Sequence, residues 1–251
     1  MPTLRDSLLI AIARGTRLDA APAARLGPGE VAAGVGLAAT SGAALLAYAF
    51  AAIPMSFTVT FVSLPASLAL GALVLLRWRM HTRLRFLATC VARGAGWGLA
   101  GTVAYDLVRP VIVWGFGFPF SPFAAIPAFG WLMTGRPVDD PIALTAGWAY
   151  HFWNGVSFGV MLAIAWPRGG WLPGVLWGSG LQVLMNATYP EVLGLRLSTP
   201  GFLFTGFVGH GVWGLVLGHG LRHGVDGMRA QASAARRRLT RAPAAGNGGA
   251  A

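Results

Sequence analysis

Long apolar runs alternate along the chain with short breaks that carry arginine. A membrane-crossing helix needs about 20 mostly apolar residues. The stretches 31–53, 57–76, 87–115, 142–166, 171–189 and 202–220 meet that length. A further apolar stretch, 116–134, reads FGFPFSPFAAIPAFGWLMT and carries Pro119, Pro122 and Pro127. Each proline removes a helix donor and crowds the preceding turn. The expected fold is therefore all-α, a polytopic bundle of six transmembrane helices. Segment 116–134 is expected to re-enter the membrane or lie at its interface, packed over the bundle as a lid. Irregular backbone is tolerated at membrane depth only where protein or water covers it.

Arginine placement decides between six and seven crossings. Basic residues collect in cytoplasmic loops. Arg5, Arg14, Arg17 and Arg25 precede the first run, and Arg77, Arg79, Arg83 and Arg85 separate the second from the third. Arg222, Arg229, Arg236, Arg237, Arg238 and Arg241 follow the last. Six crossings put all three groups on one side, whereas seven would split the two tails. The expected arrangement is a cell-membrane protein with both termini cytoplasmic: a tail over 1–30, a membrane domain over 31–220 and a basic tail over 221–251. Residues 15–30 and 242–251, rich in Ala, Gly and Pro, are expected to be mobile. Residues 228–241 are expected to form a short basic helix on the inner leaflet. Residues 4–13 do not read as a cleavable signal peptide, because Arg5 and Asp6 interrupt the apolar run.

Composition fits this picture. Hydrophobic residues make up 55% and charged residues 11%, with a mean hydropathy of +0.61. Soluble domains carry about 25% charged residues, so lipid is the expected solvent for most of the surface. The net charge is +11, and every one of the 19 basic residues is arginine. Without lysine there is no Schiff base, no P-loop lysine and no amine nucleophile. The arginines flank apolar runs, so anionic lipid head groups are the expected contacts and nucleic acid is not. Cys90 stands alone, which excludes an internal disulfide and a cysteine-based zinc site.

Ionisable groups within a spanning helix are costly and mark candidate sites. Asp106, His151 and His210 lie eight or nine residues from the outer ends of the third, fourth and sixth runs, and Gln182 and Asn186 lie near the outer end of the fifth. At 1.5 Å per residue they share one layer roughly 5–14 Å below the outer interface. Asn154 sits one turn from His151. Arg109 is three residues after Asp106, close enough to pair with it along the helix. Pro110 removes the donor for the Asp106 carbonyl, which would leave an open oxygen for water or a cation. Glu191, after Tyr189-Pro190, is expected in a turn at the outer interface.

Two runs share a pattern. Gly147, His151, Gly155 and Gly159 repeat in spacing as Gly206, His210, Gly214 and Gly218. Residues four apart stack on one helix face. Each histidine thus projects from a stripe bare of side chains, which either admits a neighbouring helix or leaves room for a flat ligand beside the imidazole. His151 and His210 could serve as axial ligands of haem, or with Asp106 as a two-histidine, one-carboxylate set for a transition metal. His219 and His223 form a further pair at the inner end of the last run. A serine-protease reading of Ser179 and His210 fails, because Trp177 stands where the Gly-x-Ser-Gly pattern needs glycine. The expected function is an outer-half polar pocket on Asp106, His151, Asn154, Gln182, Asn186 and His210, binding a small ligand, ion or cofactor in a transport-like or cofactor-binding role. The alternative is a non-catalytic structural or accessory subunit of a membrane complex. Expected partners are the bilayer and either further copies of the chain or membrane-complex subunits. The residues do not fix a catalytic role.

Overall fold

In the computed structural model residues 26–241 are described apart from 189, 191 and 193–195, with side chains to residue 223. The arginines before residue 26, the 242–251 tail and Glu191 lie outside the described residues, as do the expectations attached to them. Among the described residues the chain is helical and contains no strand. Leu26–Arg222 forms one compact unit. Its helices are α1 (Pro28–Ala51), α2 (Met55–Leu75), α3 (Thr82–Gly115), α4 (Ala125–Thr134), α5 (Pro141–Ala165), α6 (Trp171–Thr188) and α7, which begins at Phe202 and runs to Arg241.

Local chemistry explains the helix ends. α1 starts three residues before the first apolar run, because Pro28 suits the first turn and the Glu30 carboxylate accepts from Gly27 N at 2.6 Å. α2 widens into a π-turn at Val59–Ser63, where Leu64 N donates to Val59 O. Pro65 follows at once, and the wider turn makes room for its ring. Arg85 donates to the carbonyls of Arg77, Trp78 and Met80 at 3.2, 3.4 and 3.0 Å. That clamp closes the α2–α3 connection, so α3 begins at Thr82 and absorbs Arg83 and Arg85, which the sequence assigns to a loop. Asp140 caps α5 by accepting from Ile142 N at 2.7 Å. The Ile142 amide, then the Arg136 guanidinium at 3.2 Å, hold the Asp140 carboxyl below the usual carboxylate range. Residues 228–241 are not a separate short helix; their backbone continues α7.

α5 is the hub of the unit. Tyr150 Oη donates to Ser41 O on α1 at 2.7 Å, and Trp153 Nε1 to Ser67 Oγ on α2 at 2.9 Å. Trp177 Nε1 on α6 donates to Phe158 O on α5 at 3.2 Å. Glycine carries the closest approaches. A Cβ at Gly94 on α3 would meet Val160 Cα at 2.6 Å and Gly159 O at 2.7 Å. One at Gly147 would strike the Ile126 carbonyl of α4, and one at Gly174 the Gly214 carbonyl of α7. These backbones touch because no side chain intervenes.

Large apolar side chains cover the outside. On α3, Leu107, Val111 and Trp114 are 67%, 70% and 71% exposed and share one face. Phe50, Phe61, Leu75 and Leu176 are equally bare on other helices. Water-soluble monomers rarely expose contiguous apolar surface on this scale. Three helices are long and apolar enough to cross a membrane: α1, α2 and the Phe202–His223 part of α7. α3, α5 and α6 carry the charged, amide and imidazole positions Asp106, Arg109, His151, Asn154, Gln182 and Asn186.

Candidate functional site

A cavity of about 120 Å³ lies among α3, α5, α6 and α7. Arg109 from α3, His151 and Asn154 from α5, Gln182 and Asn186 from α6, and His210 from α7 all reach its wall. Five of the six expected site residues therefore line one space. Asp106 is the exception. Its side chain does not reach the cavity; it lies behind His151 and accepts from His151 Nε2 at 2.9 and 3.1 Å through its two oxygens. A carboxylate only accepts, so Nε2 carries the proton. Nδ1 of His151 makes no hydrogen bond among the described residues.

The expected Asp106–Arg109 pair does not form. Asp106 turns to α5, and the Arg109 guanidinium lies over the Tyr105 ring, 4.8 Å from its centroid. Gly209 on α7 permits this, since a Cβ there would come within 2.9 Å of the Tyr105 ring and 3.2 Å of Arg109 Cγ. On the other side of the cavity His210 Nδ1 donates to Gly206 O at 3.0 Å. Gln182 Nε2 donates to Asn186 Oδ1 at 2.8 Å along α6. Segment 116–134 contributes Phe120, Phe123 and Phe129 to the apolar wall. Its phenylalanines also form a ladder: Phe116 stacks on Phe118 and Phe118 on Phe120, at centroid distances of 5.6 and 6.1 Å, and Phe120 meets Phe202 edge-on at 5.6 Å.

The two glycine stripes are filled by neighbouring helices. Gly155 faces the Thr102 side chain, Gly159 faces Gly94 and Gly98, Gly206 faces Gln182, and Gly214 faces Gly174. Of the two uses the sequence allowed, the stripes serve helix approach and leave no slot for a flat ring. The histidines do not face one another across open space either. The Tyr105 ring stands between them, 5.9 Å from His151 and 4.9 Å from His210 by centroids. A haem held by both imidazoles would have to displace that ring. No group of three His, Cys, Asp or Glu suited to a metal occurs among the described residues. Asp106 bonds His151, and the two form no such group with His210.

Three polar atoms on this wall are buried and have no partner among the described residues: Arg109 Nε, Asn154 Oδ1 and Thr205 Oγ1. Each comes from a different helix. Sequence reading passed over Thr205, a lone hydroxyl in an apolar run, and Tyr105, and it placed Arg109 only within reach of Asp106. Spacing alone held no signal that Asp106 turns away from its i+3 neighbour. Comparison with family models, with curated proteins and with solved structures returns no match to this chain.

Proposed function

We propose that the chain is a multi-pass protein of the cell membrane, with six crossings and both termini cytoplasmic, that admits a small ligand to an outer-half pocket bounded by Arg109, His151, Asn154, Gln182, Asn186 and His210. The observation that carries the pocket is the set of three unmet polar atoms on one wall. Buried donors and acceptors are nearly always satisfied, and an orphan costs about 1–3 kcal/mol. Each of the three belongs to a residue that lines the cavity, so a small shift of its side chain would bring it to an occupant. The six crossings rest on the bare apolar outer faces of α1, α2 and α3 and on the arginine clusters, all of which then fall on the cytoplasmic side. In this reading 116–134 is the outer lid, its phenylalanines closing the pocket from above.

Accessibility of the pocket tests the reading. Thr205→Cys is nearly isosteric, and Thr205 has no hydrogen bond to lose. It is made in a Cys90→Ala background and exposed to sulfonatoethyl methanethiosulfonate in folded protein. Ser157→Cys, buried on α5 away from the cavity, is the control. The Thr205→Cys protein is expected to react while the control stays inert. Equal inertness of both would leave a closed packing cavity and move the chain to the structural or accessory-subunit reading.

A further inference from the structure

The charges on the wall say what kind of molecule fits. Arg109 brings a full positive charge. Among the described residues no Asp or Glu reaches the cavity, since Asp106 faces His151 on its far side. The guanidinium makes no ion pair or hydrogen bond among the described residues, and its Nε is sealed from solvent. Its contact with the Tyr105 ring satisfies the face of the guanidinium and leaves its donors unused. Arg109 is half-buried, and no acidic side chain among the described residues neutralises it. A planar fork of N–H donors matches a carboxylate better than any other common anion. Beside its histidines, amides and threonines the wall is aromatic and aliphatic, with Phe120, Phe129 and Leu181 among its members. An apolar cavity of roughly 150 Å³ holds benzene, so this one, at about 120 Å³, has room for a body of about that size.

Building on the pocket reading, we propose that the ligand is a small organic carboxylate with a compact apolar body, its acid group held by Arg109. The Asn154 amide and the Thr205 hydroxyl serve the ligand's remaining polar atoms or a water carried in with it. The site disfavours cations. It also disfavours long acyl chains, which exceed the cavity.

The test compares acids with their neutral isosteres on the intact wild-type protein in detergent, at constant ionic strength. Isovalerate and benzoate are titrated against isovaleramide and benzamide while the unfolding midpoint is followed. A ligand that binds only the folded state raises the midpoint in a saturable way. The acids are expected to half-saturate at concentrations at least tenfold below the amides, the factor that one charge-assisted hydrogen bond supplies. Arg109→Gln is expected to erase that advantage, and Arg109→Lys to keep part of it. Equal effects of acid and amide, a stronger effect of benzylammonium, or no effect of either acid would overturn the proposal. A steady gain from isovalerate to octanoate would overturn it too, because the site would then be a lipid acyl groove. The Thr205→Cys result separates the two failures. A reactive cysteine with no preference for acids sinks only the carboxylate, whereas an inert cysteine sinks the pocket.

Discussion

Two glycines of α3, two residues apart, should respond to alanine with opposite signs. Gly94 faces α5, where a Cβ would lie 2.6 Å from Val160 Cα, 2.7 Å from Gly159 O and 2.8 Å from the Ala163 Cβ. Ordinary contacts begin near 3.4 Å. Two of these neighbours are backbone atoms that cannot rotate aside, so α3 and α5 must part by several tenths of an ångström along the seam. Overpacking of this kind costs about 1–3 kcal/mol, and the rigidity of the obstruction puts Gly94→Ala toward the upper end. Removing a helical glycine returns about 0.5–1 kcal/mol, which leaves a net loss of about 2 kcal/mol. Gly96 has nothing within 4 Å, so Gly96→Ala keeps the gain alone. The two variants should differ by about 3 kcal/mol, or roughly 6–12 °C in unfolding midpoint for a chain of this size. Cys90 provides the assay. It is the only cysteine, it is 2% exposed, and a maleimide dye reaches it only on unfolding. The expected order is Gly94→Ala below wild type and Gly96→Ala at or above it. The reasoning fails if Gly94→Ala melts at or above wild type, because the α3–α5 seam would then not be a backbone contact.

The remaining predictions concern the site and its margins. Asp106→Ala and His151→Ala should each destabilise, and their double-mutant cycle should show a coupling of about 0.6–1.7 kcal/mol, the range for hydrogen bonds between membrane helices; strict additivity would mean the 2.9 Å contact contributes nothing. The Asp140 carboxyl sits below its usual range when folded, so its contribution is present above the ordinary carboxylate value of about 3.9 and is lost as pH falls through the folded value. The midpoint gap between wild type and Asp140→Asn should therefore narrow from pH 6 to pH 3, and a constant gap would refute the cap. Phe120→Ala, which removes one ring from the lid segment's contribution to the wall, should speed labelling of Thr205→Cys in the same Cys90→Ala background; an unchanged labelling rate would detach 116–134 from access.

Hydropathy and length were enough to place the apolar helices, because a run of about 20 apolar residues has few stable alternatives to a helix that buries itself in lipid or protein. That His151, Asn154, Gln182, Asn186 and His210 come to one space was legible for the same reason, since helix rise converts residue number into height. Angle about the helix axis was only partly legible. The glycine stripes announced close approach, but only packing decided that helices fill them: Gly155 meets Thr102, Gly214 meets Gly174, and no ring-shaped space is left. Which partner a polar side chain chooses was not legible at all. Asp106 has Arg109 at a favourable helical spacing, yet it bonds His151 on another helix, and that choice frees Arg109 for the cavity. Local spacing sets what a side chain can reach, while the tertiary structure sets which of those contacts costs least to desolvate. On that balance rest the unpaired guanidinium and the three unmet polar atoms.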